Sequence, residues 1–185
     1  MRIISGKFKG KKIFLPKESV TRPLKDLVKE SIFNIIIHSN LFDIKIEKSN
    51  VLDLFAGVGS FGLECLSRGS LSVTFFENHR NTINILKKNI SSLNLEKETN
   101  IFEIDIMKIH NLMRLNEKFD IIFLDPPYKE KNIFAIIDLI FKINLLKKGG
   151  IIILHRHKMD KDLFPSKFNI LKEEVYGLSK IIFGN

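Results

Sequence analysis

From residue 50 onward, short β-branched and aromatic runs alternate with longer stretches of helical period, the pattern of a parallel sheet covered by helices. Strands are expected at 51–55, 72–77, 100–104, 119–124 and 149–155. Between the second and third, Ile83, Leu86, Ile90 and Leu93 recur at i, i+3, i+7 and i+10, one face of a helix. Comparable helices are expected over 60–69, 106–115 and 131–146. After Pro165 the pattern changes to two extended runs, 168–176 and 179–183, meeting at Tyr176-Gly177, which reads as an antiparallel hairpin. The fold class is therefore α/β, with a mostly parallel twisted sheet that ends in a C-terminal antiparallel hairpin.

The first fifty residues differ. Arg2 to Pro16 contains two short β-like runs around Lys9-Gly10, a small basic hairpin, followed by a loop through Thr21-Arg22-Pro23. A helix follows with Val28, Ile32, Ile35 and Ile36 on its apolar face, and Pro23 stands where a helix start tolerates proline. No repeat or low-complexity tract interrupts the chain. Residues 1–22 are expected to form an extension and 23–185 the main domain.

At 185 residues the chain suits one core, and its apolar runs are broken well before the ~18 residues that span a bilayer. Met1 to Lys7 has no signal-peptide character, so the cytoplasm is the expected location. A lone cysteine, Cys65, excludes an internal disulfide and a cysteine-based zinc site, and is expected as a small packed side chain. His155 and His157 lack a third ligand, so no metal is expected. The net charge is +9, and residues 1–30 hold nine basic against three acidic side chains, two thirds of that excess. Such a front suggests nucleic acid as the partner, with Arg2, Lys7, Lys9, Lys11, Lys12, Arg22 and Lys25 as the docking residues. Alternation along the hairpin would place Lys7, Lys9 and Lys11 on one side and Phe8 on the other.

The first strand runs into Asp53-Leu54-Phe55-Ala56-Gly57-Val58-Gly59-Ser60-Phe61-Gly62, a GxGxxG between strand and helix, where the backbone approaches a nucleotide closely. Glu77 ends the second strand, 20 residues after Gly57, where an acid grips ribose hydroxyls. Asp53, in an apolar strand, needs donors or a cation to offset its desolvation. It would repel a pyrophosphate and attract a cofactor bearing an ammonium group, such as S-adenosylmethionine; alternatively, loop amides satisfy it. Asp105, just after the third strand, is either a partner for an adenine amino group or a helix N-cap.

Phe123-Leu124-Asp125-Pro126-Pro127-Tyr128 closes the fourth strand at the sheet edge where open α/β folds place their chemistry. The amino group of a nucleobase is a poor nucleophile, because its lone pair is delocalised into the ring. A carboxylate and a proline carbonyl, both acceptors, hold its hydrogens and favour a more pyramidal nitrogen. The Tyr128 ring offers an extruded base a stacking surface worth about 1–3 kcal/mol.

Asp-Leu-Phe-Ala-Gly-x-Gly with Asp125-Pro126-Pro127-Tyr128 resembles class I S-adenosylmethionine-dependent methyltransferases that act on exocyclic amino groups. Together with Arg2-Ile3-Ile4-Ser5-Gly6-Lys7-Phe8-Lys9-Gly10 and the segment Arg22 to Asn34, the chain resembles the bacterial RsmD family over nearly its whole length. That family methylates a guanine amino group (N2) in small-subunit (16S) ribosomal RNA. The resemblance implies a Rossmann-like class I methyltransferase fold, with S-adenosylmethionine as cofactor and S-adenosylhomocysteine as product. It places Phe55, Gly57 and Gly59 on the methionine portion, Glu77 at the ribose, and Asp105 with Ile106 at the adenine, with Asp53, Ala56 and Asn78 also among the cofactor-binding residues. Asp125, Pro126, Pro127 and Tyr128 would hold the guanine, in naked RNA or in an assembled or assembling subunit. The chain departs from the family pattern at Leu24, where a threonine is expected, at Val175, where a basic residue is expected, and at His155-Arg156, where an acidic strand end is expected. A DNA-adenine or protein-glutamine methyltransferase is the alternative within the fold. Outside it stand a nicotinamide-dependent oxidoreductase, which needs no Asp125-Pro126-Pro127-Tyr128, and a non-catalytic RNA-binding module.

Overall fold

A computed structural model of the chain describes residues 1–16, 24–127 and 129–185, together with all their side chains except that of Ile109. Arg22, Pro23 and Tyr128 lie outside the described residues. Seven strands, β1 (Asn50–Leu54), β2 (Ser72–Phe76), β3 (Thr99–Phe102), β4 (Phe119–Leu124), β5 (Leu146–His157), β6 (Ile170–Tyr176) and β7 (Ser179–Gly184), form one sheet in the order β3-β2-β1-β4-β5-β7-β6. β1 to β5 are parallel, and β7 enters antiparallel between β5 and β6. The helices are α1 (Asp26–His38), α2 (Ser60–Ser67), α3 (Arg80–Ser92) and α4 (Ile133–Lys142).

The central strands are apolar on both faces because helices cover both, as a parallel sheet requires. Val51, Val73, Ile121, Phe123, Ile151 and Ile153 pack towards α1, α2 and α3, whereas Leu52, Leu54, Ile122, Leu124, Ile152 and Leu154 pack towards α4. An aromatic column ties α1 to the sheet: Phe33 stacks on Phe61 of α2 (ring centroids 5.2 Å apart), and Phe61 stacks on Phe123 of β4 (4.0 Å). The apolar face of α1 thus sits over α2, carrying its N-terminal end towards the carboxyl edge of β1 and β4. No helix among the described residues is long and apolar enough to cross a membrane.

Two expected elements form differently. The helix expected over 106–115 is a 3-10 segment, Ile109–Arg114. The Asp105 carbonyl accepts from Lys108 N (3.3 Å) and from the Asn111 side chain (2.7 Å), so it does not open an α-helical ladder. The N-terminal hairpin is reduced to one antiparallel bridge, Arg2 to Lys12, supported by Ile3 N to Lys11 O and Ile13 N to Met1 O. Gly10 N also bonds Ile3 O (2.9 Å), while four other donors go to α2: Ile4 N and Ser5 N donate to the Glu64 carboxylate (2.8 and 2.9 Å), Lys7 N to Ser67 O and Phe8 N to Ser67 Oγ. Lys7 and Lys9 therefore stand on a turn docked against α2, not on one face of a strand, although both remain exposed, as does Lys11. The approach is so close that a Cβ on Gly6 (φ +79°) would lie 1.8 Å from Ser67 O, which only glycine avoids.

Glu64 is fully buried and takes its charge balance from Arg68 (2.8 Å) and Lys29 (3.6 Å). Lys29, also without solvent exposure, donates to Arg2 O (2.9 Å) and Ser60 Oγ (3.2 Å). Burial lowers the Lys29 pKa, and the Glu64 carboxylate opposes that shift. One buried cluster thereby fastens the basic loop, α1 and the start of α2 together.

Candidate active site

The carboxyl ends of β1, β2 and β4 surround a cavity of about 500 Å³ at the point where the strand order reverses, the usual ligand position in open α/β sheets. Asp53, Phe55, Ala56, Gly57, Glu77, Asn78, Asp105, Ile106, Asp125, Pro126 and Pro127 all line it, as does Lys25 from the lead into α1. Gly59 stands just behind, at the N-cap of α2, with a left-handed backbone (φ +85°) and no room for a Cβ beside Leu86. Phe55 is also left-handed (φ +63°), a conformation costly for an aromatic residue, held where the chain leaves β1. Of the expected docking residues, Arg2, Lys7, Lys9, Lys11 and Lys12 are exposed on the N-terminal loop and do not line the cavity.

Each acid has a distinct setting. Asp53 is buried, and its Oδ2 accepts from Gly62 N at 3.0 Å. One amide does not offset desolvation of a carboxylate, so burial pushes the Asp53 pKa well up, and the nearby Asp125 and Glu77 charges push the same way. Glu77 pins the glycine loop: its Oε2 accepts from Gly57 N (2.8 Å), and its Oε1 accepts from Asn78 N (2.9 Å) and His79 N (2.8 Å). These three bonds leave one lone-pair site of the carboxylate, on Oε2, for a hydroxyl donor. Asp105 lines the cavity, and its Oδ1 accepts from Met107 N (2.9 Å) in a local turn; the N-cap of the following 3-10 segment is Lys108, not Asp105. The wall between the acids is apolar, with Phe55, Phe76, Ile104 and Ile106.

Several cavity residues, among them Phe76, Ile104, Glu130 and His155, escaped the sequence reading as site residues. His155, at the end of β5, places its Nδ1 2.7 Å from Asp125 Oδ1. The signal is register: Leu124 pairs with Leu154, so the residues that follow each, Asp125 and His155, emerge side by side. Its neighbour Arg156 is buried and holds the next part of the loop, donating from Nη2 to Glu130 O (2.9 Å) while pairing with Asp162 and Asp160. Among the described residues no group of histidine, cysteine and acidic side chains is arranged to hold a metal.

The strand order, the antiparallel seventh strand and a cavity beside the β1–α2 glycine loop define the class I methyltransferase fold. The chain belongs to the family described as "Conserved hypothetical protein 95", the RsmD family, whose model matches residues 1–185. It is 36% identical to "Ribosomal RNA small subunit methyltransferase D" of Buchnera aphidicola subsp. Baizongia pistaciae, over 94% of this chain and 85% of that one. The protein of the same name from Haemophilus influenzae is 34% identical, over 96% and 90% respectively. Among solved structures, "Putative methyltransferase yhhF" from Escherichia coli superposes with a TM-score of 0.82 at 26% identity, covering 100% of this chain and 96% of that one.

The raised Asp53 pKa has a consequence for stability. A carboxyl whose folded pKa exceeds its unfolded value favours folding most at low pH, and that contribution is lost as pH rises from the ordinary carboxylate range through the raised value. Asp53→Asn keeps an acceptor for Gly62 N and removes the charge. It is expected to raise the Tm of the ligand-free protein at pH 7, at ~2–4 °C for each kcal/mol in a chain of this size. The gain should shrink towards pH 4, as followed by thermal unfolding across pH.

Proposed function

We propose that this protein transfers a methyl group from S-adenosylmethionine to the N2 amino group of a guanine in small-subunit (16S) ribosomal RNA. The observation that carries the reading is the placement of Asp125-Pro126-Pro127 on the rim of a cavity walled by Asp53, Glu77 and Asp105. The names of its relatives point to the same RNA.

The cavity suits this cofactor. S-adenosylmethionine carries a sulfonium and an ammonium charge, a ribose diol and an adenine, and supplies an activated methyl group when bound. Asp53, otherwise an uncompensated buried carboxyl, gains a cation from the ammonium end. Glu77 offers its remaining lone pair to a ribose hydroxyl, Asp105 an acceptor to the adenine amino group, and Ile106 and Phe76 an apolar bed for the ring. A dinucleotide pyrophosphate would instead meet the negative field of Asp53, Glu77 and Asp125, which argues against the nicotinamide alternative.

Asp125 and the Pro126 carbonyl serve as acceptors for the hydrogens of the guanine amino group. They orient its lone pair towards the methyl group; the N–C bond forms as the S–CH3 bond breaks to leave S-adenosylhomocysteine, and the extra proton on N2 then leaves to solvent, so no separate base is needed to start the attack. Gain comes from positioning, for which oriented reactions supply about 7–11 kcal/mol. Tyr128 is proposed as the stacking surface for the extruded base. Lys25 at the rim, with Arg22, guides the strand in, while Arg2, Lys7, Lys9, Lys11 and Lys12 hold phosphates further out. The cluster of Lys29, Glu64 and Arg68 keeps that basic loop fixed relative to the cavity, so phosphate contacts also set the distance to the target base.

Methyl transfer from radiolabelled S-adenosylmethionine to small-subunit ribosomal RNA tests the assignment. Asp125→Ala should lower the rate on the order of 10²-fold or more while leaving cofactor affinity within a few-fold; near-normal turnover would make Asp125 structural. Changing Lys7, Lys9 and Lys11 to Glu should weaken RNA binding and flatten its salt dependence by about 0.7–0.9 in log–log slope per lost phosphate contact. Cofactor binding should stay intact in that variant, and RNA binding like wild type at physiological salt would remove the loop from the docking surface.

A further inference from the structure

Asp125 shares the cavity with Asp53 and Glu77, and its charge helps raise the Asp53 pKa. A carboxylate in such company is held in place by a donor. The structure supplies that donor from β5. His155 is largely buried (side chain 9% exposed), lines the cavity, and meets Asp125 Oδ1 through Nδ1 at 2.7 Å. A carboxylate accepts only, so the hydrogen in this bond sits on Nδ1 whether the ring is neutral or cationic.

The contact is built into the backbone. β4 and β5 are paired in register through Leu124 and Leu154, and Asp125 N bonds back to Leu54 O of β1. Asp125 is thus flanked by β1 through its main chain and by β5 through its side chain. Arg156, on the opposite face of β5, holds Glu130 O, whose own N–H bonds Pro127 O (2.8 Å). Two consecutive β5 residues therefore fix the Asp125-Pro126-Pro127 segment at its start and beyond its end. These are the two positions at which the chain departs from the acidic strand end expected of its family.

We propose that His155 is a positioning residue for methyl transfer, pinning one oxygen of Asp125 so that the plane of the carboxylate, and hence the direction of its second oxygen, is set for the substrate amino group. This role rests on the function proposed above. An acidic residue in place of His155 would repel Asp125, so the chain holds its amino-group acceptor by attraction where an acidic strand end has to rely on other groups.

The test compares His155→Leu with His155→Asn, whose side-chain NH₂ stands near the position of Nδ1 and can still donate to Asp125. With small-subunit ribosomal RNA as substrate, His155→Leu should lose on the order of 10²-fold in kcat, with little change in KM for RNA and cofactor affinity within threefold. His155→Asn should recover activity to within a few-fold of wild type. A His155→Leu enzyme with normal kcat would overturn the proposal, as would a folded, cofactor-binding His155→Asn enzyme as slow as the leucine variant. Should His155→Leu fail to fold, the asparagine variant decides alone, together with ¹⁵N NMR of the wild-type imidazole. A proton on Nδ1 at neutral pH supports the bond, and a bare Nδ1 overturns it. Wild-type enzyme that binds S-adenosylmethionine but methylates no ribosomal RNA overturns the proposed function itself, an outcome distinct from any difference between variants.

Discussion

The parallel register of β1, β4 and β5 decides where every polar group of the cavity stands. Asp53 pairs with Phe123, and Leu124 pairs with Leu154, so three strand ends finish at one level. Because side chains alternate along a strand, a slip of one residue would turn Asp53 to the opposite face of the sheet and part Asp125 from His155. The register is in turn held by apolar packing on both faces, where residues such as Leu52 and Ile122 on one side and Val51 and Ile121 on the other leave no solvent-facing alternative. Chemistry at the rim is therefore specified by hydrophobic burial beneath it.

A second constraint works one turn along α2 from the cavity. Glu64 is fully buried, and two backbone amides, Arg68 and Lys29 surround its carboxylate. Breaking a buried pair by removing one partner typically costs 3–5 kcal/mol, so the cluster tolerates little change. It converts what composition suggests is a loose basic tail into a fixed loop whose exposed lysines keep a constant relation to the cavity. Ser60, which accepts from Lys29 and also lines the cavity, is where the two regions meet.

The parallel sheet and the cofactor side of the site were legible because their signals are local. The strand, glycine loop and helix from Asp53 to Gly62 form one continuous segment, and Glu77 follows at a distance set by one helix and one strand. The structure brings those residues around one cavity. His155 was not legible as a partner of Asp125, because their bond joins residues 30 apart in sequence and depends on the β4–β5 register. The N-terminal hairpin keeps a single bridge, and the helix over 106–115 is a 3-10 segment, for a shared reason. Propensity and alternation describe backbone groups that bond within their own segment, whereas Ile4, Ser5 and Lys7 donate to α2, and Asn111 takes the carbonyl of Asp105. The burial of Lys29 and Glu64 depends on the packing of three segments, which no local pattern signals.

The central claim is that these strand ends hold a guanine amino group of ribosomal RNA against an activated methyl. It is tested most directly by mass spectrometry of nucleosides from small-subunit ribosomal RNA, taken from cells with and without the gene and mapped to position. The account predicts one N2-methylguanosine present in the parent, absent from the deletion strain and restored by the intact gene. An unchanged set of methylated nucleosides in the deletion strain, or loss of a methyl group from a different atom or a different RNA, would contradict it.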